Sequence, residues 1–370
     1  MKGKLCCIFN IPSLYREAIY LDIDKSYDCE WFFEKENIDI ALFDTSKLRN
    51  THLLEHCKLI GRLYRMKGLT REVLAVKDAE AYLMVGVPMC FSIWVLCLVL
   101  KLFHPKRRVY FWTHGWYGKE SRFQYVVKKA FLKLADGLFL YGNHARNLLV
   151  EEGFAPDKLH VIHNSLSYDV QLALRRQLHE DDVFKSHFGN DNPVLLFIGR
   201  LTTVKRLDLL LETVSILRND GKVFNLVFVG DGVEKERLLK RAKDLGISGQ
   251  TWFYGACYDE KTNAQLIYNA DLCVAPGNIG LTAIHVLMFG CPAVTHSDMA
   301  YQMPEAEAIK PGQTGAFFER GNAQSLAEAV SDWFNENGND RERVRQACYS
   351  EIDDNWTPEF QMNVLRTVLK

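Results

Sequence analysis

The second half of the chain repeats one pattern with little variation. Short apolar runs VLLFIG (194–199), NLVFVG (225–230), TWFYG (251–255), DLCVAP (271–276) and PAVTH (292–296) are separated by helical patterns at 204–219, 233–245, 259–269 and 280–290. Strands that alternate with helices of this length predict a doubly wound α/β fold, because each parallel strand needs a long crossover to return to the sheet. The first half holds LCCIFN, IDIALFD, YLMVG, RVYFWTH, GLFLYG and KLHVIHN at less regular intervals, and reads as a second sheet of the same class. At 370 residues the chain is longer than one core usually fills, so two domains are expected. The charged stretch Gln171–Phe188, followed by Asn190-Asp191-Asn192-Pro193, reads as the linker. This places a first domain at 1–188 and a second at 189–356, with the helix after Trp356-Thr357-Pro358, at 357–370, packing back on the first.

A formal net charge of −1 argues against a nucleic-acid partner. Ten cysteines without a Cys-x-x-Cys pair, most of them inside apolar runs, read as small core residues in a reducing cytoplasm. No secretory signal is read at Met1-Lys2-Gly3-Lys4. From Ala81 to Leu100 the chain carries no charge and is long enough to cross a bilayer, but Gly86-Val87-Pro88 divides it. The reading adopted is a strand followed by a buried crossover helix, with membrane insertion as the alternative.

Two strand-to-helix junctions carry the chemistry. After DLCVAP comes Pro276-Gly277-Asn278 and a helix expected to open at Gly280-Leu281-Thr282, whose free backbone N–H groups and positive dipole end suit a phosphate. After VLLFIG come Arg200 and Lys205, two cations entering the next helix. Together the junctions would hold a diphosphate, amides on one side and cations on the other. The bland alternative for the two cations is a solvated helix face.

These segments resemble glycosyltransferase family 4, retaining enzymes of the GT-B architecture. The resemblance is carried by GRLTTVKRLDLLLE, VFVGDGVEKERLL, NADLCVAPG, GLTAIHVLMFGCPAV and GQTGAFF, and more weakly by YFWTHGWYG and LADGLFLYGNHARNLLVEEGFAPDKLHVIHNSL. It implies two Rossmann-like domains facing across a cleft, the first binding the acceptor and the second a nucleotide-diphosphate sugar. It further implies that Arg200 and Lys205 neutralise the diphosphate, that Gly230 lies in the loop beside the base, that Glu305 approaches the donor in a Pro-Glu loop (with Glu307 as an alternative register), and that His114 sits beside the donor sugar as the catalytic-centre histidine. No cofactor and no metal are expected. The implied setting is bacterial polysaccharide, lipopolysaccharide or glycolipid assembly, cytoplasmic or at the inner face of the membrane, with a carbohydrate or lipid-linked acceptor.

One departure stands out. Where the family has Glu, seven residues, then Glu, this chain has Gly277 and His285. An imidazole has one donor and one acceptor nitrogen when neutral and could share the ribose contact, while Asn278 or backbone amides would replace the first glutamate. A satisfied core histidine is the bland reading. Either donor choice is altered or the protein is a non-catalytic nucleotide-sugar binder; a GT-B epimerase is a further alternative. Asp22-Ile23-Asp24 reads as a solvated turn rather than a metal motif. Finally, Lys101–Lys133 contains nine basic residues and one acidic residue among many aromatics. Phe123, Val126, Val127, Ala130, Phe131 and Leu134 fall on one helical face, which would pack on its own sheet or, with the cations, make peripheral contact with anionic lipid headgroups.

Overall fold

The computed structural model describes residues 3–35 and 41–370, and the chain divides into two compact units, 1–167 with 357–370, and 168–356. The first unit contains β1 (Lys4–Phe9), α1 (Glu17–Ser26), β2 (Cys29–Lys35), β3 (Thr51–Lys58), β4 (Tyr64–Met66), α2 (Leu69–Leu74), β5 (Ala79–Val85), α3 (Phe91–Phe103), β6 (Arg108–Thr113), α4 (Arg122–Leu132), β7 (Gly137–Leu140), α5 (Asn143–Glu151) and β8 (Leu159–Val161). Its eight strands lie in the order β4-β3-β2-β1-β5-β6-β7-β8, parallel except for β4, which pairs antiparallel with β3 at the edge.

Both faces of this sheet are covered. Along β1, Cys6 and Ile8 join one core with Phe32, Tyr82, Met84, Leu96 and Phe131, while Leu5, Cys7 and Phe9 join the other with Tyr20, Trp31, Trp112 and Phe139. Burial on both sides is why β1 reads as a continuous apolar run with no alternation. Of the expected strand IDIALFD, Ile38 to Ile40 lie outside the described residues, and Leu42 makes only an isolated bridge to Ser13. Strands β2 and β3 were not anticipated. Their charged residues, such as Glu30, Glu34 and Glu55, disguise them, yet Glu30 is paired with Lys4 and His52.

The second unit contains α6 (Tyr168–Arg175), α7 (Val183–Phe188), β9 (Val194–Ile198), α8 (Leu207–Asn219), β10 (Asn225–Val229), α9 (Lys235–Asp244), β11 (Thr251–Gly255), α10 (Glu260–Asn269), β12 (Leu272–Ala275), α11 (Thr282–Met288), β13 (Ala293–His296), β14 (Gly315–Phe318), α12 (Ala323–Asn337) and α13 (Arg341–Asn355). Its six parallel strands run β11-β10-β9-β12-β13-β14. The stretch expected to be a linker, and with it the boundary at 188, is corrected. Residues 168–188 belong to the second unit, to which Arg175 and Gln171 are tied by side-chain hydrogen bonds. Arg175 makes two hydrogen bonds to Asp353, at 3.0 and 2.8 Å, and Gln171 donates to Glu260 at 2.8 Å.

The last helix, α14 (Pro358–Val368), belongs to the first unit. Met362 and Leu365 enter its second core, and Gln361 accepts from Ser165 Oγ at 2.7 Å and donates to the His163 carbonyl at 3.0 Å. The segment 81–100 forms β5 and α3, and among the described residues no helix is long and apolar enough to cross a membrane. All ten cysteines are free. Asp22 and Asp24 sit in helix α1, not in a turn; Asp24 is buried, accepting from Trp31 Nε1 at 2.8 Å and Arg49 Nε at 3.0 Å.

Helix α4 does not pack as its apolar pattern suggests. Phe131 and Leu132 are buried, with Phe131 against Trp94 of α3, but Phe123 is 78% exposed and Val126 64% exposed. On the neighbouring α3, Phe91, Leu98 and Leu102 are exposed as well.

Candidate functional site

The sequence of the second unit grows in opposite directions from β9 and β12, so these two adjacent strands form its topological switch point. Ligands in open α/β sheets bind outside the carboxyl ends of strands at such a point. Both predicted junctions start there, and they are stitched together. The Lys205 amine donates to the carbonyl of Asn278 at 2.6 Å and to its side-chain Oδ1 at 3.0 Å, while the Gly277 N–H donates to the Lys205 carbonyl at 2.9 Å.

That stitching explains the glycine. A Cβ on Gly277 would lie 2.1 Å from the Val204 carbonyl oxygen and 2.7 Å from the Lys205 Cα. Both are backbone atoms that no rotamer change can move, so packing bars a glutamate here. Gly230 is placed in the same way: a Cβ would lie 1.9 Å from the Gly199 carbonyl oxygen, which brings the 230 loop against the β9 junction.

Burial and the nearby Arg200 charge lower the Lys205 ammonium from 10.5 to about 8, with Glu305 opposing. Arg200 itself is exposed. Of the two candidate registers it is Glu305, 2% exposed, that has this electrostatic contact with Lys205. A buried lysine whose charge is only partly offset is a cation ready to take a nearby anion.

Helix α11 begins at Thr282, two residues later than expected, because Gly280 takes a left-handed φ of 58° and ends the loop. Leu281 is the residue before the first turn, and the Thr282 hydroxyl donates to the Ile198 carbonyl at 3.1 Å, tying the helix to β9. The loop is fixed by residues that sequence reasoning missed. Gln302 accepts from the Ile279 N–H at 3.0 Å and donates to Thr295 Oγ1 at 2.7 Å, and Thr295 donates to the carbonyls of Ala275 and Gly277.

His285 is not a plain core residue. Its Nε2 lies 3.0 Å from Oε1 of Glu260, the oxygen that also accepts from Gln171. Burial pushes the Glu260 carboxyl up, but the hydrogen bonds from His285 and Gln171 outweigh it and hold it below the ordinary value. Glu260 was not anticipated, and its only signal was its place at the start of a helix beside a strand end.

His114 belongs to the first unit, one residue beyond β6. Its ring lies 4.6 Å from that of Tyr141, and its Nδ1 is buried with no hydrogen-bond partner among the described residues. Burial, with the charges of Arg16 and Lys128 adding, lowers the imidazole from 6.5 to about 4, so it is neutral at pH 7. Among the described residues no group of three His, Cys, Asp or Glu is placed to hold a metal ion.

Residues 179–351 match the family model of glycosyl transferases group 1. An uncharacterized 41.2 kDa protein from the cps region of Klebsiella pneumoniae is 22% identical over 276 residues, 71% of this chain and 65% of that protein. The GDP-mannose-dependent alpha-(1-6)-phosphatidylinositol dimannoside mannosyltransferase of Mycobacterium tuberculosis is 32% identical over 114 residues, 30% of this chain and 29% of that enzyme. The chain thus spans less than two thirds of the length of these curated relatives. The crystal structure of Anabaena HepE in complex with UDP superposes with a TM-score of 0.73 at 14% identity, covering 99% of both chains. The fold is GT-B, and residues 179–351 are similar to glycosyl transferases group 1.

Proposed function

We propose that this protein transfers a sugar from a nucleoside-diphosphate sugar to a carbohydrate or lipid-linked acceptor, with retention at the anomeric carbon and without a divalent metal ion. The observation that carries the proposal is the partly buried Lys205 amine, stitched to Asn278 at the switch point of the second unit. As the bond to the sugar breaks, charge builds on the departing diphosphate. Aimed cations stabilise that state more than the ground state.

In this reading the second unit binds the donor. Arg200 and Lys205 hold the diphosphate together with the amides of Gly280, Leu281 and Thr282, the Gly230 loop borders the base, and Asn278 and Glu305 approach the sugar. His285 with Glu260 takes the ribose. The first unit binds the acceptor and contributes His114, whose neutral imidazole can hydrogen-bond the sugar. Retention is what the family resemblance implies. The relatives, a protein of a cps region and a phosphatidylinositol dimannoside mannosyltransferase, support a role in surface polysaccharide or glycolipid assembly. The reading is tested by screening nucleotide sugars by thermal shift and then measuring transfer of the stabilising sugar in EDTA. Stabilisation by no nucleotide sugar would count against it.

A further inference from the structure

Among the described residues of the first unit, one guanidinium stands without a counter-charge. Arg16 lies in the loop that leaves β1, within 5.6 to 5.8 Å of the ring centroids of Phe9, Tyr15, Trp112 and Tyr141. It donates to the Tyr141 hydroxyl, and the hydroxyls of Tyr15 and Tyr20 face it. Among the described residues no Asp or Glu forms an ion pair with it. A guanidinium has five N–H donors, and among the described residues this one meets only neutral groups. Aromatic faces offset part of the cost of enclosing a cation but do not replace an anion.

Two more polar atoms of the same cluster point to a missing ligand. Trp112 Nε1 and His114 Nδ1 are both buried with no hydrogen-bond partner among the described residues. The His114 ring lies against Tyr141, and its basicity is lowered in part by Arg16. Orphaned buried polar groups are rare, and two beside an uncompensated cation form a constellation that packing alone does not require. The location fits as well. The first sheet reverses its direction of growth between β1 and β5, and Phe9, Trp112 and Tyr141, at the carboxyl ends of β1, β6 and β7, lie on one face of the sheet and flank that switch point.

We propose that Arg16, with Trp112 Nε1 and His114 Nδ1, forms an anion subsite of the first unit that takes an acidic group, phosphate or carboxylate, on the sugar acceptor. The assignment to the acceptor rests on the reading above, in which the second unit holds the donor diphosphate. The anion subsite itself stands on the first unit alone.

The test uses the full chain carrying Arg200→Ala and Lys205→Ala, so that the second-unit cations do not respond to anions. Inorganic phosphate and D-glucuronate are titrated at constant ionic strength, followed by melting temperature and by the NMR resonances of the His114 ring. At least one anion is expected to raise the melting temperature and shift those resonances, and the stronger of the two identifies the acidic group. Arg16→Met, which keeps the aromatic nest filled, should fold and lose anion affinity by about tenfold or more, while Arg16→Lys should retain part of it. In the otherwise wild-type chain Arg16→Met should leave nucleoside-diphosphate binding unchanged, which separates failure of this subsite from failure of the donor reading. Equal responses in the Met variant, or no response to either anion when Arg16 is present, overturn the proposal.

Discussion

Glu260 and His285 meet at 3.0 Å although 25 residues separate them, and the carboxylate is fixed from its other side by Gln171. Where the family resemblance implies a carboxylate, this chain has an imidazole that leans on a carboxylate from another helix. His285→Ala should cost roughly 1–3 kcal/mol of nucleotide-sugar affinity, the usual penalty for leaving polar partners unpaired. Glu260→Gln should lose less, because the amide still accepts a hydrogen bond. His285→Glu should weaken binding too, since it sets a second carboxylate against Glu260. Calorimetry decides, and wild-type affinity in the His285→Ala variant would show that the pair is structural.

Restoring the first family glutamate should fail. Gly277→Glu drives a Cβ into the backbone at Val204 and Lys205, so the loop must move, at a cost of roughly 1–3 kcal/mol or more in stability. A lowered thermal midpoint with weaker donor binding is expected; a gain in either would mean that the two junctions are not locked together.

The buried His114 gives a pH signature. Its folded value, about 4, lies below the 6.5 of an unfolded imidazole, so between those values the unfolded chain binds more protons. Stability from this group is therefore complete above about pH 6.5 and falls as the pH drops toward 4, by on the order of 2–3 kcal/mol. Denaturant unfolding of wild type and His114→Gln should differ by a constant amount near neutral pH and diverge as the pH falls below about 6.5, because only wild type loses stability there. Parallel curves would refute the buried neutral state.

Much of the second unit was legible because β9, β10, β12 and β13 are buried along their length, so apolar runs mark them; β14, α12 and α13 were not read, and α6 and α7 were taken for a linker. Gly230, after β10, was named only through the family resemblance, while the positions of Arg200, Lys205 and Asn278 after two strands were legible. Pairings across the fold were not. Glu260, Gln302 and Thr295 act through partners 7 to 25 residues away, and no local pattern announces them. Arg175 and Gln171 looked like solvated linker charges because their partners, Asp353 and Glu260, are 178 and 89 residues distant. Gly277 looked like a lost function until its neighbours' backbone showed that no side chain fits.

The exposed apolar residues of α3 and α4, Leu98, Leu102, Phe123 and Val126, lie among the exposed cations Lys101, Lys106, Arg108, Arg122 and Lys133. We propose an anionic lipid surface as their partner, since basic charge around an apolar face complements anionic headgroups. Flotation with phosphatidylglycerol vesicles should capture the protein, weaken as salt is raised, and be lost in Leu102→Ser with Phe123→Ser. Absence of vesicle binding, or concentration-dependent dimerisation through the same residues, would assign the face elsewhere.

In the proposed function, donor binding depends most on the switch-point lysine, Lys205. Calorimetric titration of UDP and GDP into the protein in EDTA should show binding of at least one of them. Near pH 8 it should be accompanied by proton uptake, because the diphosphate draws the Lys205 amine back toward full charge. Lys205→Ala should lower the affinity by about 10- to 100-fold, the scale of a lost charge-assisted hydrogen bond, and abolish the uptake. Binding of neither nucleotide without metal, or equal affinity in the Lys205→Ala variant, would contradict it.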